Sequence, residues 1–524
     1  MKTYYDIHCH IFNKDVIIRK LVNVVQSLLS IRDLLEKDLS GAALKYKIDE
    51  ITHILTEVTQ ESSEDVFKAQ DKVYQGQVVT TPLMFDLTYA DDNDDDENHN
   101  KRYRRRIKSV FWLLRAVVLP VVEHIARNKY DNDELAEAID QVQKQVKKFQ
   151  KNFKVKSDEE VEIFDNANYA QQVADLEYLS QKYETIKPFF GIDPRREYKG
   201  HTNTVEAIKQ KILADDALFY GVKLYAPAGF SPTDPVLMGT DDQEGVYGIC
   251  ERHKIPITVH NSDAGFACFS TVLNVRGDVL LNENIVRPQK PIRFDNRFFS
   301  RHVSEAIQER AKKLNHPQLW ELVLQKYPNL VLNLAHFGGS GQIMEYVNYD
   351  IKYKKADADL FENEIMHLSV EDKEVLRAAY TEKKGYMYLR ENMTISERAK
   401  TWNALYRAKL IDNWAKAIFD LVKNPNYPNA YTDLSCFSEG TLIESPETQK
   451  LTFSIKEELK TFKHNFFDQL NAYEKSKILY GSDYYLTQFF GPSLQQYFDD
   501  FKAAFDEDFD IIAIDNPKRF LNFE

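Results

Sequence analysis

The feature that most constrains the fold is an alternation of short apolar strands with helical segments, which becomes regular after residue 185. Strands that alternate with helices of about 10 to 15 residues favour βαβ units and a parallel sheet. With two earlier strands the pattern reaches eight, and eight βα units close a barrel. We therefore predict an α/β fold, a (β/α)8 TIM barrel spanning residues 1–524 as a single unit. The predicted strands cover 4–10, 78–87, 187–193, 219–225, 255–260, 330–336, 430–434 and 477–483.

Helical insertions are predicted after the first two strands, at 14–75 and 91–184, with a smaller insertion at 352–397. The second begins with a charged segment, almost wholly acidic at 91–97 and densely basic at 101–108. Such blocks are typical of a solvated loop, and a nucleic-acid patch is the lesser alternative.

Composition excludes some classes of partner. The chain has 68 basic and 81 acidic side chains and a net charge of −13, so it has no global attraction to nucleic acid or anionic membranes. Its most apolar stretch, 110–122, is shorter than the roughly 20 residues of a membrane span. Four scattered cysteines without C-x-x-C spacing suit a reducing compartment, and a strand beginning within a few residues leaves no secretory leader. We expect a cytoplasmic protein that acts on a small molecule, with homo-oligomerisation left open.

The first predicted strand carries two histidines two positions apart, His8 and His10. Side chains alternate faces along a strand, so both imidazoles should lie on one face, with Ile7 and Cys9 on the other. One divalent ion would fit between them. The pair alone is a weak signal in a chain with 13 histidines.

Titratable side chains on later strands strengthen that signal. Lys223 lies on the fourth strand, His260 ends the fifth, His336 ends the sixth and Asp483 ends the eighth. In a closed barrel these strand ends meet at one mouth, where active sites of this fold are built. Three imidazoles and one carboxylate suit zinc, with manganese as the alternative, and one ion is favoured over two. The predicted metal ligands are His8, His10, His260 and Asp483.

The expected chemistry is activation of a bound water, whose pKa falls to about 7 on zinc. Asp483 can both contact the metal and take the proton, and His336 can polarise the substrate or pass a proton to a leaving group. We predict that Lys223, Arg195 and Tyr225 bind the substrate, since a guanidinium pairs with carboxylate in a forked geometry.

Structural explanations remain open for several of these residues. A histidine at a strand end is often only hydrogen-bonded, and Asp483 can cap the following helix. Lys223 can be a substrate clamp, a structural ion pair or, if carbamylated, a bridging metal ligand. Arg195 and Arg196 can be surface charges. The combination of three strand-end signals nevertheless favours a metal site.

These motifs resemble the amidohydrolase superfamily, and more narrowly its amidohydrolase-related branch of TIM-barrel hydrolases and decarboxylases. The resemblance implies metal binding by the first-strand histidines, the fifth-strand histidine and the eighth-strand aspartate, and catalysis by the sixth-strand histidine, His336. The segments that carry it are 6–10, 221–225, 258–260, 327–339, 480–483 and 514–517.

The expected function is therefore that of a metal-dependent hydrolase acting on a C–N or C–O acyl bond of a small anionic substrate. A nonoxidative decarboxylase on the same barrel is the alternative. A third hypothesis is a catalytically inactive scaffold whose helical insertions bind a protein partner.

Overall fold

Strands form at each of the eight predicted positions. The computed structural model describes residues 2–11, 62–90, 166–200, 202–268, 270–282, 284–294, 303–353, 365–366, 368–382, 392–393, 413–438, 441–444, 451–484 and 492–523. The central strands are β1 (Tyr4–Cys9), β2 (Val78–Pro82), β3 (Phe189–Ile192), β4 (Gly221–Leu224), β5 (Ile257–Ser262), β6 (Leu332–Gly338), β7 (Ala430–Asp433) and β8 (Ile478–Leu479).

The central strands are parallel and lie in chain order. β3 to β8 form a six-stranded sheet, and β1 and β2 form a separate pair. Over the described ranges the regular ladders do not close into a barrel. Isolated parallel bridges instead connect the pair to both edges of the sheet, joining Cys9 to Tyr484, Thr80 to Ile186 and Leu83 to Phe189. The predicted α/β class and parallel sheet are confirmed, whereas the closed (β/α)8 barrel stays a prediction.

Helices connect the strands, as expected for right-handed βα units. Where the structure describes them, none is long and apolar enough to cross a membrane. They are α1 (Ser63–Val73), α2 (Asn166–Lys182), α3 (Thr204–Ile208), α4 (Val246–His253), α5 (Val303–Asn315), α6 (Pro317–Lys326), α7 (Ser340–Tyr353), α8 (Val370–Glu382), α9 (Trp414–Val422), α10 (Lys456–Asn465), α11 (Leu494–Phe505) and α12 (Asn516–Phe520). Single helical turns lie at Arg195–Tyr198, Ala226–Ala228, Pro235–Met238, Phe467–Gln469, Ala472–Lys475 and Asp506–Asp508, and π-helical turns at Lys209–Leu213 and Ile511–Asp515.

The connection between β5 and β6 has secondary structure of its own. It contains short antiparallel strand pairs, and its helical part is divided into α5 and α6. Pro317 begins α6 because proline fits the first turn of a helix, where its missing N–H is not needed. The short strands are Val272–Leu273 with Ile292–Arg293 and Val279–Leu281 with Asn284–Val286; a further antiparallel pair after β7 joins Thr441–Glu444 to Leu451–Ser454.

The first two predicted insertions each contribute a described helix that packs on the strands. Val66 and Phe67 of α1 join the large core cluster that surrounds the sheet. Glu64 of α1 accepts hydrogen bonds from Lys182 at the end of α2 and from Tyr183 just beyond it. The described helices α1, α2 and α8 lie in the predicted insertions, whereas most of 14–75, 91–184 and 352–397, including the charged segment, lies outside the described residues. The division into insertions stays a prediction.

A second apolar cluster fills the end of the strands opposite the histidines. Residues from β1, β3, β7 and β8 meet Phe520 and Leu521 at the end of the chain. This packing seals the amino-terminal end of the strands, so the polar side chains collect at their carboxyl ends. The buried members are Tyr5, Ile7, Leu83, Phe189, Val331, Tyr431, Leu479, Phe520 and Leu521.

Candidate metal centre

The predicted alternation along β1 holds for the histidines and fails for their neighbours. The register of β1 against β2 shifts between Asp6 and Cys9. Ile7 therefore packs in the amino-terminal cluster, whereas Cys9 packs in the outer one. A bulge changes which face successive side chains occupy, and periodicity alone does not reveal it. His8 and His10 still lie together, with ring centroids 5.4 Å apart.

Hydrogen bonds at Nδ1 set the orientation of His8 on β1 and of His10 just beyond it. Nδ1 of His10 lies 2.8 Å from the carbonyl oxygen of Leu83, which can only accept, so this nitrogen carries the proton. Nδ1 of His8 lies 3.0 Å from Oδ2 of Asp433, a buried carboxylate. In the neutral rings both Nε2 atoms then keep a lone pair, as metal-binding histidines require.

These two Nε2 atoms converge on one oxygen of Asp483. Oδ1 lies 3.4 Å from Nε2 of His8 and 3.1 Å from Nε2 of His10. Neither Nε2 of His8 nor Oδ1 of Asp483 has a hydrogen-bond partner among the described residues. Three electron-pair donors that face one another in a buried site need positive charge between them, supplied by protons at acid pH or by a bound cation at neutral pH. The donor set fits a divalent metal ion.

Asp483 is held in this position by its backbone. Its φ of 51° is in the left-handed region, which is uncommon for residues other than glycine, and its N–H donates to the carbonyl of His8 at 2.7 Å. Burial by itself raises the pKa of this carboxyl, but contact with the imidazoles of His10, His8 and His336 holds it well below its ordinary value. The side chain is therefore an ionised carboxylate throughout the neutral range.

The preceding residue ties this turn to β1 and to α1. Both the backbone N–H and the hydroxyl of Ser482 donate to the buried carboxylate of Asp6, at 2.9 and 2.5 Å. The same carboxylate accepts from Gln70 of α1 at 2.9 Å and from Tyr74, which caps α1, at 3.1 Å. The first predicted insertion thus reaches the back of the strand that carries the histidines.

Sequence reasoning missed Asp433, the last residue of β7. Its carboxylate accepts from Nδ1 of His8, Nδ2 of Asn333 at 2.6 Å, the backbone N–H of His336 at 2.9 Å, and both the N–H and the hydroxyl of Ser435. Burial favours a raised pKa, yet the contacts with His8, His336 and Ser435 hold the pKa of this carboxyl far below its ordinary value. The strand-end rule that selected Asp483 applies equally to Asp433.

His336 lies beside His8, with ring centroids 4.6 Å apart and a backbone φ of 67°. Burial, followed by the charge of His8, lowers its pKa to about 4, against the opposing pull of Asp483 and Asp433. The ring is therefore neutral at pH 7. At neutral pH the ring must therefore take up a proton before it can act as a general acid.

His260 occupies the edge of the same group. Its ring lies 4.6 Å from that of His336 and stacks on Tyr225 at 4.5 Å. Its Nε2 lies 2.9 Å from the carbonyl of Ala264, so this nitrogen donates and Nδ1 keeps the lone pair. The donor groups found over the described part of the chain comprise His8 and His10 with Asp483, and His8 and His336 with Asp433, and neither includes His260. Its role as a ligand stays a prediction.

The site residues form a closed circuit of ring contacts. Two further contacts, from Tyr225 to Phe85 at 5.0 Å and from Phe85 to His10 at 4.5 Å, complete it. Nζ of Lys223 lies 5.9 Å from the ring centroids of both Phe85 and Tyr225. In order, the circuit runs through His10, His8, His336, His260, Tyr225 and Phe85.

Lys223 is a buried amine, and its Nζ has no hydrogen-bond partner among the described residues. Burial lowers its pKa to about 8, while the charges of Asp483 and Asp433 pull in the opposite direction. Of the three explanations that the sequence leaves open, a structural ion pair receives no support from these contacts.

The arginines after β3 are engaged in ion pairs. Arg195 donates to Asp193 through Nε and Nη2 and to the carbonyls of Tyr89 and Ala228. Arg196 pairs with Asp86, four residues beyond β2, and lies over the ring of Tyr169 at 3.5 Å. These contacts engage the guanidinium donors that are predicted to bind an anion, and substrate binding by Arg195 stays a prediction.

Fold and site together define an α/β protein with a candidate metal centre at the carboxyl ends of parallel strands. No protein-family model matches the chain, and no curated protein matches it. Two chains among solved structures are similar to it. One is the apo form of Metarhizium anisopliae IDCase, with 12% identity over 68% of this chain and 70% of that chain and a TM-score of 0.30. A likeness of this degree does not indicate an activity.

Proposed function

We propose that this protein is a metal-dependent hydrolase of the amidohydrolase type, acting on a C–N or C–O acyl bond of a small anionic substrate. The observation that carries the proposal is the convergence of His8 Nε2, His10 Nε2 and Asp483 Oδ1 in a buried site. His260 is the fourth ligand in this proposal, and the strands form a (β/α)8 barrel closed by the bridges described above.

A divalent ion bound there, zinc first and manganese as the alternative, would supply an activated water and polarise the acyl group. The chain's own residues then handle protons. Asp483, ionised at neutral pH, takes the proton of the attacking water. His336, neutral at neutral pH, accepts this same proton from Asp483 at its ring nitrogen without a proton and delivers it to the leaving group, which leaves Asp483 ionised again.

Lys223 is the proposed anchor for the substrate's anionic group. Its ammonium is buried beside Phe85 and Tyr225 without a hydrogen-bond partner in the described structure, and a bound carboxylate would supply one. Tyr225 forms an apolar wall here, since its hydroxyl accepts the N–H of Phe266 at 2.8 Å.

Metal content tests the proposal directly. Elemental mass spectrometry of purified wild type should give about one equivalent of metal, lost in His8→Ala/His10→Ala and kept in Lys223→Ala. His253→Ala/His464→Ala is the matched control, because both of these histidines are exposed. Two equivalents that fall to one in Lys223→Ala would show a bridged pair instead. Failure of wild type to bind zinc or manganese after reconstitution would overturn the proposal and leave the scaffold hypothesis.

A nonoxidative decarboxylase is the second candidate, because a buried amine between two aromatic rings also suits a carboxylated aromatic substrate. Product analysis separates the two activities. Release of carbon dioxide from carboxylated aromatics, without cleavage of amides or lactones, would replace hydrolysis by decarboxylation.

A further inference from the structure

Ser435, two residues beyond the end of β7, lies between the two histidines that the proposed chemistry uses differently. Its Oγ is 2.9 Å from Nδ1 of His336 and 3.1 Å from Nδ1 of His8. The same oxygen donates to Oδ1 of Asp433. One buried hydroxyl therefore contacts a proposed metal ligand, a proposed proton acceptor and the carboxylate that orients the ligand.

The number of available protons determines the direction of each hydrogen bond. A serine hydroxyl has one proton, and an ionised carboxylate can only accept, so the proton of Ser435 is committed to Asp433. Toward both histidines Oγ can then only accept. Nδ1 of His336 must carry the ring proton in this contact, which leaves Nε2 of His336 with the lone pair.

We propose that Ser435 is a positioning residue that holds His336 as the Nδ1–H tautomer, so that its Nε2 is the ring atom that accepts and delivers the proton bound for the leaving group. The inference rests on the proposed function in assigning His336 to proton transfer. It adds the residue that selects which ring nitrogen reacts.

His8 and His336 should depend on Ser435 to different degrees. His8 has a second acceptor for its Nδ1 proton in Asp433, at 3.0 Å. The alternative acceptor for His336 is the backbone carbonyl of Ser435, at the longer distance of 3.4 Å. Loss of the hydroxyl should therefore allow His336 to adopt the Nε2–H tautomer and leave the tautomer of His8 unchanged. A general loosening of the site would affect both histidines.

The local structure holds Ser435 rigidly. Its N–H donates to Oδ1 of Asp433 at 3.0 Å, beside the bond from the N–H of His336 to the same oxygen at 2.9 Å. Cys436 follows with a φ of 54°, which turns the chain away. The hydroxyl is thus positioned by the same carboxylate to which it donates.

The test uses the full-length, metal-free protein with nitrogen-15-labelled histidine. Long-range proton–nitrogen correlation spectra at pH 7.5 distinguish Nδ1–H from Nε2–H tautomers, and a His336→Gln spectrum assigns the signals of His336. Wild type should show His336 and His8 as Nδ1–H. Ser435→Ala should raise the Nε2–H fraction of His336 several-fold while His8 keeps its tautomer, and Ser435→Thr should restore the wild-type pattern. Ser438→Ala is the matched control, because its hydroxyl contacts Ser340 instead of a histidine.

An Nε2–H tautomer for His336 in wild type would overturn the proposal, even if Ser435→Ala fails to fold. An unchanged tautomer in a folded Ser435→Ala would also overturn it, by showing that the backbone carbonyl suffices. Zinc titration of the same wild-type sample tests the metal site separately. A wild type with the Nδ1–H tautomer and no zinc binding would reject the proposed function and keep the hydrogen-bond assignment.

Discussion

Gly481 packs directly against Cβ of His8, which occupies the space that a side chain at position 481 would need. A Cβ atom built on Gly481 would lie 2.6 Å from Cβ of His8, closer than real Cβ contacts come, and 3.2 Å from Cβ of Ser435, which is tighter than most such contacts. The missing side chain lets β1 and β7 approach the turn that carries Asp483. Gly481 is thus a requirement of the candidate centre.

We expect Gly481→Ala to displace His8 and to destabilise the protein by about 1–3 kcal/mol, the usual cost of overpacking a buried position. Urea denaturation measures the stability, and competition with a chromophoric chelator measures the zinc affinity, which should fall in parallel. Gly248→Ala in α4 is the control, because the nearest atoms there belong to the flexible side chain of Glu244. Wild-type stability and zinc affinity in Gly481→Ala would contradict this account of the site.

Replacing Lys223 by methionine should stabilise the metal-free protein below pH 8. The pKa of Lys223 is lowered by burial from 10.5 to about 8, so its charge is carried into the fold at a cost on the order of 3 kcal/mol. Between pH 8 and 10.5 the unfolded chain binds more protons than the folded one, and the stability of wild type rises with pH. The advantage of Lys223→Met should therefore be largest below pH 8 and shrink toward pH 10.5.

Urea denaturation at pH 7, 9 and 10.5 in bicarbonate-free buffer checks this pH dependence. The exposed Lys460→Met should differ little from wild type across the same range. A pH-independent difference between Lys223→Met and wild type would show that the amine is not a buried cation in the folded protein.

Arg195→Met should lower stability more than it weakens substrate binding. The partner carboxylate of Asp193 is fully buried, with an ion-pair distance of 2.5 Å, and removing one member of a buried pair leaves the other charge uncompensated. We expect a loss of about 3 kcal/mol in urea denaturation. Arg252→Met, which breaks an exposed pair with Glu244, should cost less than about 1 kcal/mol. Unchanged stability with a raised KM would restore the substrate-binding role predicted from the sequence.

Local pattern was sufficient to place the strands and most of the site residues on them. His8, His260 and His336 lie on the strands that apolar runs and helix alternation predicted, because both signals depend on neighbouring residues in the chain. His8 on β1 and His10 just beyond it lie on the same side for the same reason. They do so despite the bulge, which places Ile7 and Cys9 in different apolar clusters.

Hydrogen bonds between residues distant in the chain could not be predicted from local sequence pattern. Arg195 is predicted to bind an anion, and local pattern does not reveal that its donors contact Asp193, Tyr89 and Ala228. Asp433 carried the same strand-end signal as Asp483, and only its hydrogen bonds to His8, His336 and Ser435 separate an orienting carboxylate from a ligating one.

The sequence by itself determined the α/β class, the chain order of the parallel strands and the chemical types collected at their carboxyl ends, because these follow from periodicity along the chain. Tertiary structure alone decided which nitrogen of each histidine carries the proton, since that depends on the acceptor that the fold brings to it. For His10 that acceptor is the carbonyl of Leu83, and for His8 it is Asp433, 425 positions away. A donor set becomes a metal site only when those distant acceptors fix its lone pairs.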